Sequence, residues 1–278
     1  MDGSLKVDRL LDSLARLDSL LVAFSGGADS AFLLAAAAKA LGSERAAAAT
    51  ALSPSLPPSE VRGAEEFARS LGVRHLLPST NELDREGYRR NAGDRCFFCK
   101  TELMSVLGPL AETEGFANVA TGTNADDTVA GFRPGIEAGR RAGALTPLAD
   151  AGLTKAEIRS ASRDWGLATW DKPAAACLSS RIAYGVTITP GHLTRVGKAE
   201  AALRSHLRDN GIPVANLRVR DLGEDSARVE VDAEHVAALR DRPELLSVVE
   251  GFASVTVDER GFRSGAMNEM LPDPEKYR

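Results

Sequence analysis

Two of the chain's three cysteines, Cys96 and Cys99, stand in C-x-x-C spacing in the stretch GDRCFFCK, and the third, Cys177, lies far downstream in AAACLSSR. Thiolates are nucleophiles and soft metal ligands, so a pair plus one has several readings. Cys96 and Cys99 could form a redox pair, as C-x-x-C sites do. With one histidine the three could hold zinc; His75, His192, His206 and His235 are available, none of them near a cysteine in sequence. Three thiolates could also hold a [4Fe–4S] cluster with one iron left open to a substrate or an exogenous sulfide. The plainest alternative is three unlinked thiols in apolar surroundings, where free cysteine is common. DKPAAACLSSRIAYG (171–185) reads as a loop around Cys177. Arg181 in it is either a surface charge or a cation that would stabilise a thiolate.

A second chemistry-bearing stretch is AFSGGADSAF (23–32). Gly26 and Gly27 permit a tight turn and close backbone approach. Backbone N–H groups at the start of a following helix, aligned with its dipole, form an anion site. Ser25 and Ser30 add hydroxyl donors. Asp29 would repel a bare phosphate and reads better as a magnesium partner. The loop has no lysine of its own, unlike the G-x-x-x-x-G-K-[ST] loop. Taken alone, a Gly-Gly turn before a helix is also an ordinary tight strand–helix connection.

These residues need a frame. Leu10, Leu11, Leu14, Leu17 and Leu21 recur at helical spacing and predict an amphipathic helix over 4–18. LLVAF (20–24) predicts a strand, followed by a helix from Ser30 to Leu41. RAAAATAL (45–52) predicts a second strand against alanine's preference for helix. SPSLPPSE is a Pro/Ser loop in which Ser59 would cap the helix EVRGAEEFARSLG, ending at Gly72. VRHLLPS (73–79) predicts a third strand, CFFCKTELMSVLGPLAETEG (96–115) a helix, and ANVATGTN (117–124) a fourth strand running into a polar loop. TKAEIRSASRDWGL (154–167) predicts a helix, with Thr154 and Glu157 in a capping-box pattern. Strands alternating with helices over short connections predict an α/β domain with a parallel sheet covered on both faces.

Beyond about residue 185 the texture changes. PGHLTRVGKAEAALRSHLRDNG (190–211) predicts a long amphipathic helix, and NLRVRDL and ARVEVD predict strands joined by a turn at GEDS. AEHVAALRDR is a short helix and ASVTVD a strand, so a small α+β domain follows the first. The boundary is placed at 183/184, giving domains 1–183 and 184–278.

Composition bounds the function. The 278 residues carry a net charge of −5, without the basic footprint of a nucleic-acid binder. The longest apolar runs are too short to span a membrane, and the N-terminus is unlike a signal peptide. Three cysteines, an odd count, argue against a disulfide framework and for a reducing cytoplasm.

The full string SGGADS resembles the SGGxDS loop of the PP-loop (N-type) ATP pyrophosphatases. TGTNADD (121–127), with Asn124, Asp126 and Asp127, is similar to that superfamily's second polar loop, and TPLADAGLTKAEIR (146–159) to its P-L…K-x-E-I-R segment. Asp126 alone reads equally as a helix cap, and Lys155 and Arg159 as a solvated helix face. KPAAACLSSRIAYGVTIT, around Cys177, and ERGFRSGAMNE (259–269) resemble the corresponding segments of the LarE family, ATP-dependent sulfur transferases of nickel-pincer nucleotide cofactor biosynthesis. The resemblance covers nearly the whole chain.

It implies a PP-loop, adenine nucleotide alpha hydrolase-like domain plus a small α+β C-terminal domain. The substrate it implies is pyridinium-3,5-biscarboxylic acid mononucleotide, whose carboxylates become thiocarboxylates after adenylation. ATP and Mg2+ would engage Ser25, Gly26, Gly27, Asp29, Ser30, Asn124, Asp127 and Arg181. Some family members sacrifice the sulfur of the cysteine matching Cys177; others, with an added C-x-x-C pair, hold a [4Fe–4S] cluster on Cys96, Cys99 and Cys177. The presence of all three cysteines favours the cluster form. Arg218 and Arg220, on one face of a strand, would take the substrate phosphate; Glu230, on the paired strand, would face the same site. The resemblance also suggests a homo-oligomer, a hexamer, and leaves the sulfide source open. Rival readings are a PP-loop tRNA thiolase, which the acidic chain disfavours, a GMP-synthetase-like ATPase, which leaves the cysteines unexplained, and a non-enzymatic nucleotide- or iron-responsive module.

Overall fold

The structure, a computed structural model, describes residues 3–129, 133–173, 176–271 and 273. It divides into two units. The first holds the described residues up to Glu82 and from Cys96 to Pro173; the second holds Leu83–Arg95 and the described residues from Ala176 to Asp273. The division is thus discontinuous in sequence. Residues 83–95 join the second unit because the buried Asn91 side chain donates to three carbonyls there, those of Ile182, Ala183 and Val186.

Along the chain come α1 (Gly3–Ala15), β1 (Leu20–Ala23), α2 (Ala28–Leu41), β2 (Ala46–Ala49), α3 (Pro58–Ser70), β3 (Arg74–Leu76) and, in the second unit, α4 (Glu86–Arg89). Then follow α5 (Arg95–Thr113), β4 (Asn118–Thr121), α6 (Ala125–Val129), α7 (Pro134–Arg141), α8 (Pro147–Asp150) and α9 (Lys155–Asp164). The first unit's sheet is parallel throughout, in the order β3-β2-β1-β4. β2 is four consecutive buried alanines. Ala46 and Ala48 face one core with Phe32 and Leu33 of α2; Ala47 and Ala49 face another with Leu107 and Ala111 of α5. Tertiary packing overrides alanine's helical preference here, because small side chains on both faces let helices close over the sheet.

β1 has β2 on one side and β4 on the other, so the strand order reverses between β1 and β4. That is the topological switch point at which ligands enter open α/β sheets. The glycine turn after β1 and the polar loop after β4 both leave the sheet there. They meet closely: a Cβ on Gly122 would lie 2.8 Å from the backbone N of Ser30 and 2.9 Å from its Cα.

One capping expectation fails. Ser59 does not cap α3; the helix begins at Pro58 with Pro57 at the N-cap position and no side-chain cap. Proline has the helical φ already set and no orphan N–H to satisfy, so no side-chain cap is needed. The box on α9 forms as expected. Thr154 accepts from Glu157 N, and the Glu157 carboxylate returns to Thr154 N at 2.9 Å.

The second unit adds α10 (Pro190–Asp209), β5 (Leu217–Gly223), β6 (Ser226–Val231), α11 (Val236–Asp241) and β7 (Ser254–Val257). β5 and β6 are antiparallel, and β7 is parallel to β6. The hairpin turn at Glu224 and Asp225 has φ of 49° and 51°, the left-handed pair that a two-residue turn of this twist requires. Leu217, Val219, Ala227, Val229 and Val231 face a core built with Leu203 and Leu207 of α10. By strand alternation Arg218, Arg220, Arg228 and Glu230 occupy the opposite face.

Two outcomes follow for the frame. Gly122→Ala should cost about 1–3 kcal/mol in urea unfolding, because its methyl group meets backbone that cannot yield. Lys6 of α1 donates to both oxygens of Glu157, at 2.8 and 2.9 Å. These bonds, with that from Thr154 N, hold the Glu157 carboxyl down to about 2. The ionised form is favoured on folding, so its stabilisation is whole above the usual value of 4.5 and fades as pH falls towards about 2. Stability curves of the wild type and Lys6→Met should therefore lie apart at neutral pH and converge in acid; curves parallel throughout would contradict this.

Candidate functional site

In the first unit, Gly26 takes a left-handed φ of 71° and Gly27 caps α2 with φ −81°. The turn aims the first N–H groups of α2 beyond the end of β1. Its hydroxyls are linked: Ser25 Oγ and Ser30 Oγ lie 3.1 Å apart, and Ser30 Oγ donates to Gly27 O at 3.1 Å. In the first turn of α2, Asp29 Oδ2 accepts from Lys155 Nζ at 3.4 Å, while its buried Oδ1 has no hydrogen-bond partner among the described residues. Burial pushes the Asp29 carboxyl up; Lys155 opposes this and Asp127 adds to it. A half-buried carboxylate with one unspent oxygen is a hard donor of the type a divalent cation takes.

The loop after β4 is more structural than its sequence suggests. Asn124 Oδ1 accepts from Asp127 N at 3.1 Å and Asp127 Oδ2 accepts from Asn124 N at 3.2 Å, a reciprocal cap on α6. Asp126 Oδ2 accepts from Lys155 N at 2.8 Å and so caps the start of α9. Lys155 is exposed and pairs with Asp29 at 3.4 Å, while half-buried Arg159 donates to Lys172 O at 3.0 Å.

Cys96 and Cys99 stand three apart in the first two turns of α5, so they share a face near the positive end of the helix dipole. Cys96 is exposed and Cys99 half-buried, and neither is in a disulfide. Gly135 packs close to Cys96: a Cβ there would come within 3.3 Å of Cys96 O. Desolvation pushes the adjacent Lys100 ammonium down, against the pull of the Cys99 and Cys96 sulfurs. Thiol donors at this spacing suit a soft metal or an iron–sulfur cluster. Within either unit, no group of three or more His, Cys, Asp and Glu side chains among the described residues gathers around one point.

Cys177 lies in the second unit; residues 174–175 of its loop lie outside the described residues. It precedes the 3-10 turn Leu178–Arg181, and its carbonyl accepts from Ser180 N at 3.0 Å, Ser180 Oγ at 2.7 Å and Arg181 Nη1 at 3.1 Å. Arg181 is buried. Its Nε and Nη2 grip both oxygens of Glu200 on α10, at 2.8 and 3.1 Å. Arg181 thus anchors the cysteine loop through the backbone within the second unit. The residues 83–95 clamp the same loop from another side. Tyr88 OH bonds Ser179 Oγ, and Arg95 Nη1 bonds Asn91 Oδ1 and, at 3.0 Å, Ser179 O. Asn91 itself sits at φ 56° and donates to Ala183 O at 2.8 Å and Val186 O at 2.9 Å.

The polar face of β5 and β6 is buried and crowded with charge. Arg220 Nη2 pairs with Glu230 at 2.6 Å, and Arg220 Nη1 donates to Ser180 O at 2.9 Å. Arg218 stacks over Phe262, 5.0 Å from the ring centroid. Burial, with the neighbouring Arg181 cation, pulls Arg218 down to about 10, against Glu200. Glu230 is fully buried, and Glu230 Oε1 and Arg220 Nε have no hydrogen-bond partner among the described residues. Arg218, Arg220 and Glu230 therefore share one face, as the strand alternation predicts. A guanidinium cluster with unspent donors in low dielectric suits a phosphate or carboxylate.

Sequence reasoning missed several of these residues. Lys172 reaches the glycine turn from 146 positions away; it opens the segment KPAAACLSSRIAYGVTIT, but its spacing from the turn gave it no role there. Tyr88, Asn91 and Glu200 likewise act only through the fold.

A parallel sheet with a glycine turn opening onto a helix at its switch point, plus a separate small mixed sheet, is the architecture of a PP-loop nucleotide-binding domain with an α+β C-terminal domain. No protein-family model matches the chain. An uncharacterized protein of Synechocystis is 40% identical over 271 residues, 96% of this chain and 98% of its own length. The pyridinium-3,5-bisthiocarboxylic acid mononucleotide synthase of Lactiplantibacillus plantarum is 32% identical over 265 residues, 94% of this chain and 93% of that protein. An uncharacterized protein of Methanocaldococcus jannaschii is 24% identical over 177 residues, 63% of this chain and 66% of that one. The chain belongs to the family of the mononucleotide synthase, the LarE family. Among the described residues no helix is long and apolar enough to cross a membrane.

Asn91→Asp keeps an Asx residue suited to the left-handed turn but replaces three buried donations with an anion facing carbonyl oxygens. It should cost about 3 kcal/mol or more in urea unfolding, since each buried partner left unsatisfied costs about 1–3 kcal/mol. A loss no larger than that of an exposed substitution would show that the clamp does not hold the loop.

Proposed function

We propose that this chain is an ATP-dependent sulfur transferase that converts carboxylates of a pyridinium dicarboxylate mononucleotide into thiocarboxylates. What carries this reading is one hydrogen bond within the second unit: Arg220, on the arginine face, holds Ser180 O in the Cys177 loop at 2.9 Å. The sulfur-bearing loop and an anion-suited face are thereby built as one object. The Lactiplantibacillus relative is a pyridinium-3,5-bisthiocarboxylic acid mononucleotide synthase, and a product with two thiocarboxylates and a nucleotide phosphate calls for a sulfur donor and an anion-suited face.

A carboxylate is a poor acceptor for a sulfur nucleophile because its oxygen is a poor leaving group. Attack of that oxygen on the α-phosphorus of ATP gives an acyl-adenylate and releases pyrophosphate. In the first unit the N–H groups at the start of α2, with Ser25 and Ser30, would hold the departing pyrophosphate. Magnesium, which Asp29 and Asp127 would hold, supplies charge neutralisation for that step; the unspent Asp29 Oδ1 fits such a role. Arg218 and Arg220 would bind the substrate phosphate, with Glu230 fixing the orientation of Arg220.

The sulfur nucleophile then attacks the acyl carbon and AMP leaves. If Cys177 is the donor, its Sγ forms the acyl–sulfur bond, the Cβ–S bond breaks, the Cα proton is lost, and dehydroalanine remains. A [4Fe–4S] cluster on Cys96, Cys99 and Cys177 would instead supply an exogenous sulfide, leaving the cysteines intact. The C-x-x-C pair favours that second route.

Iron and sulfide content of anaerobically purified protein, followed by a sulfide-fed turnover assay, tests it. Cys96→Ala and Cys99→Ala should lose the iron and fall to a single turnover at most, with Cys177 losing the elements of hydrogen sulfide. Unchanged multiple turnover in these variants would defeat the cluster route; absence of pyrophosphate release in the wild type would defeat the adenylation step.

A further inference from the structure

The glycine turn lacks a lysine of its own, yet the fold brings one to it. Lys172 Nζ donates to Gly26 O at 2.9 Å and to Glu60 Oε2, in the first turn of α3, at 2.8 Å. Gly26 is enclosed by this arrangement: a Cβ there would lie 3.6 Å from Lys172 Nζ and 3.7 Å from Ala64 Cβ. The ammonium is neither buried nor loose, with side-chain exposures of 26% for Lys172 and 22% for Glu60. An ammonium has three N–H donors, so two are used here and a third is left. The Lys172 backbone is held independently, through the bond from Arg159 to its carbonyl at 3.0 Å. The nearby Lys155 pairs with Asp29 at 3.4 Å.

The geometry points to Lys172 as a binding residue for the polyphosphate of the nucleotide, poised on the turn by Gly26 O and by the Glu60 carboxylate. The inference rests on the proposed use of ATP and assigns a residue to it. A lysine that arrives from a distant segment does the work that a loop lysine does in G-x-x-x-x-G-K-[ST] proteins: a mobile point charge beside backbone N–H donors. Glu60 helps to hold the cation at the turn before nucleotide binds. When a phosphoryl oxygen arrives it takes the remaining donor without displacing the bond to Gly26 O.

An alternative role is purely structural, with the Lys172–Glu60 pair tying the 170–173 segment to α3. Titration calorimetry of the full-length chain with MgATP, pyrophosphate and AMP separates the two. Lys172→Met should weaken MgATP and pyrophosphate roughly tenfold to hundredfold, the worth of a lost charge-assisted hydrogen bond, and leave AMP within a few-fold. Lys172→Arg should recover most of the loss, and Glu60→Gln, which keeps a neutral acceptor for the ammonium, should weaken MgATP by far less than Lys172→Met. Wild-type affinity in Lys172→Met, an equal loss for AMP, or a Glu60→Gln defect as large as that of Lys172→Met would each overturn the assignment. A wild-type chain that binds neither MgATP nor pyrophosphate would instead overturn the ATP reading, and the role of Lys172 with it.

Discussion

One carboxylate organises the second unit. Glu200 accepts both arms of Arg181 and also the backbone N–H of Val219 in β5, at 3.0 Å. It thereby fixes α10, the first strand of the mixed sheet and the cysteine loop against one another. Arg181 then spends its remaining donors on the carbonyls of Ala176 and Cys177. A buried ion pair is costly to desolvate and weak as a source of net stability, but losing one partner strands a charge at about 3–5 kcal/mol. The position of Cys177 is therefore set by a constraint that tolerates little change. Arg181, expected to serve nucleotide or thiolate, spends most of its donors within the fold.

The first unit solves a different electrostatic problem. A glycine turn that presents N–H groups to an anion also carries an aspartate at the second position of its helix. Asp29 is countered by Lys155, whose own N–H is capped by Asp126, and the turn's carbonyl is held by Lys172, countered by Glu60. Each cation near the turn is thus paired before any ligand arrives. Pairing keeps these charges in place, and a turn set in this way would be preorganised for the anion proposed to bind there.

Much of this was legible in the sequence. The four parallel strands, the capping box at Thr154 and Glu157, and the charged alternation of LRVRDL follow from periodicity and cap chemistry, which are local. The AAAA strand was legible only because of its neighbours, since four alanines carry no strand preference of their own. Asn124 and Asp127, read as ligand-facing, also cap each other's backbone, because side chains three apart at a helix start reach the local N–H groups first.

The sequence by itself determined which groups are available: a glycine turn before a helix, three thiols in a pair plus one, and two arginines on one strand face. It did so because spacing along a strand or a helix turn fixes which side chains share a face. The tertiary structure alone decided which of them are committed and to what. The clamp of Tyr88, Asn91 and Arg95 on the Cys177 loop, the grip of Glu200 on Arg181 and the delivery of Lys172 to Gly26 join residues from 19 to 146 positions apart. Such contacts depend on how strands and helices are brought together, and no local pattern records that.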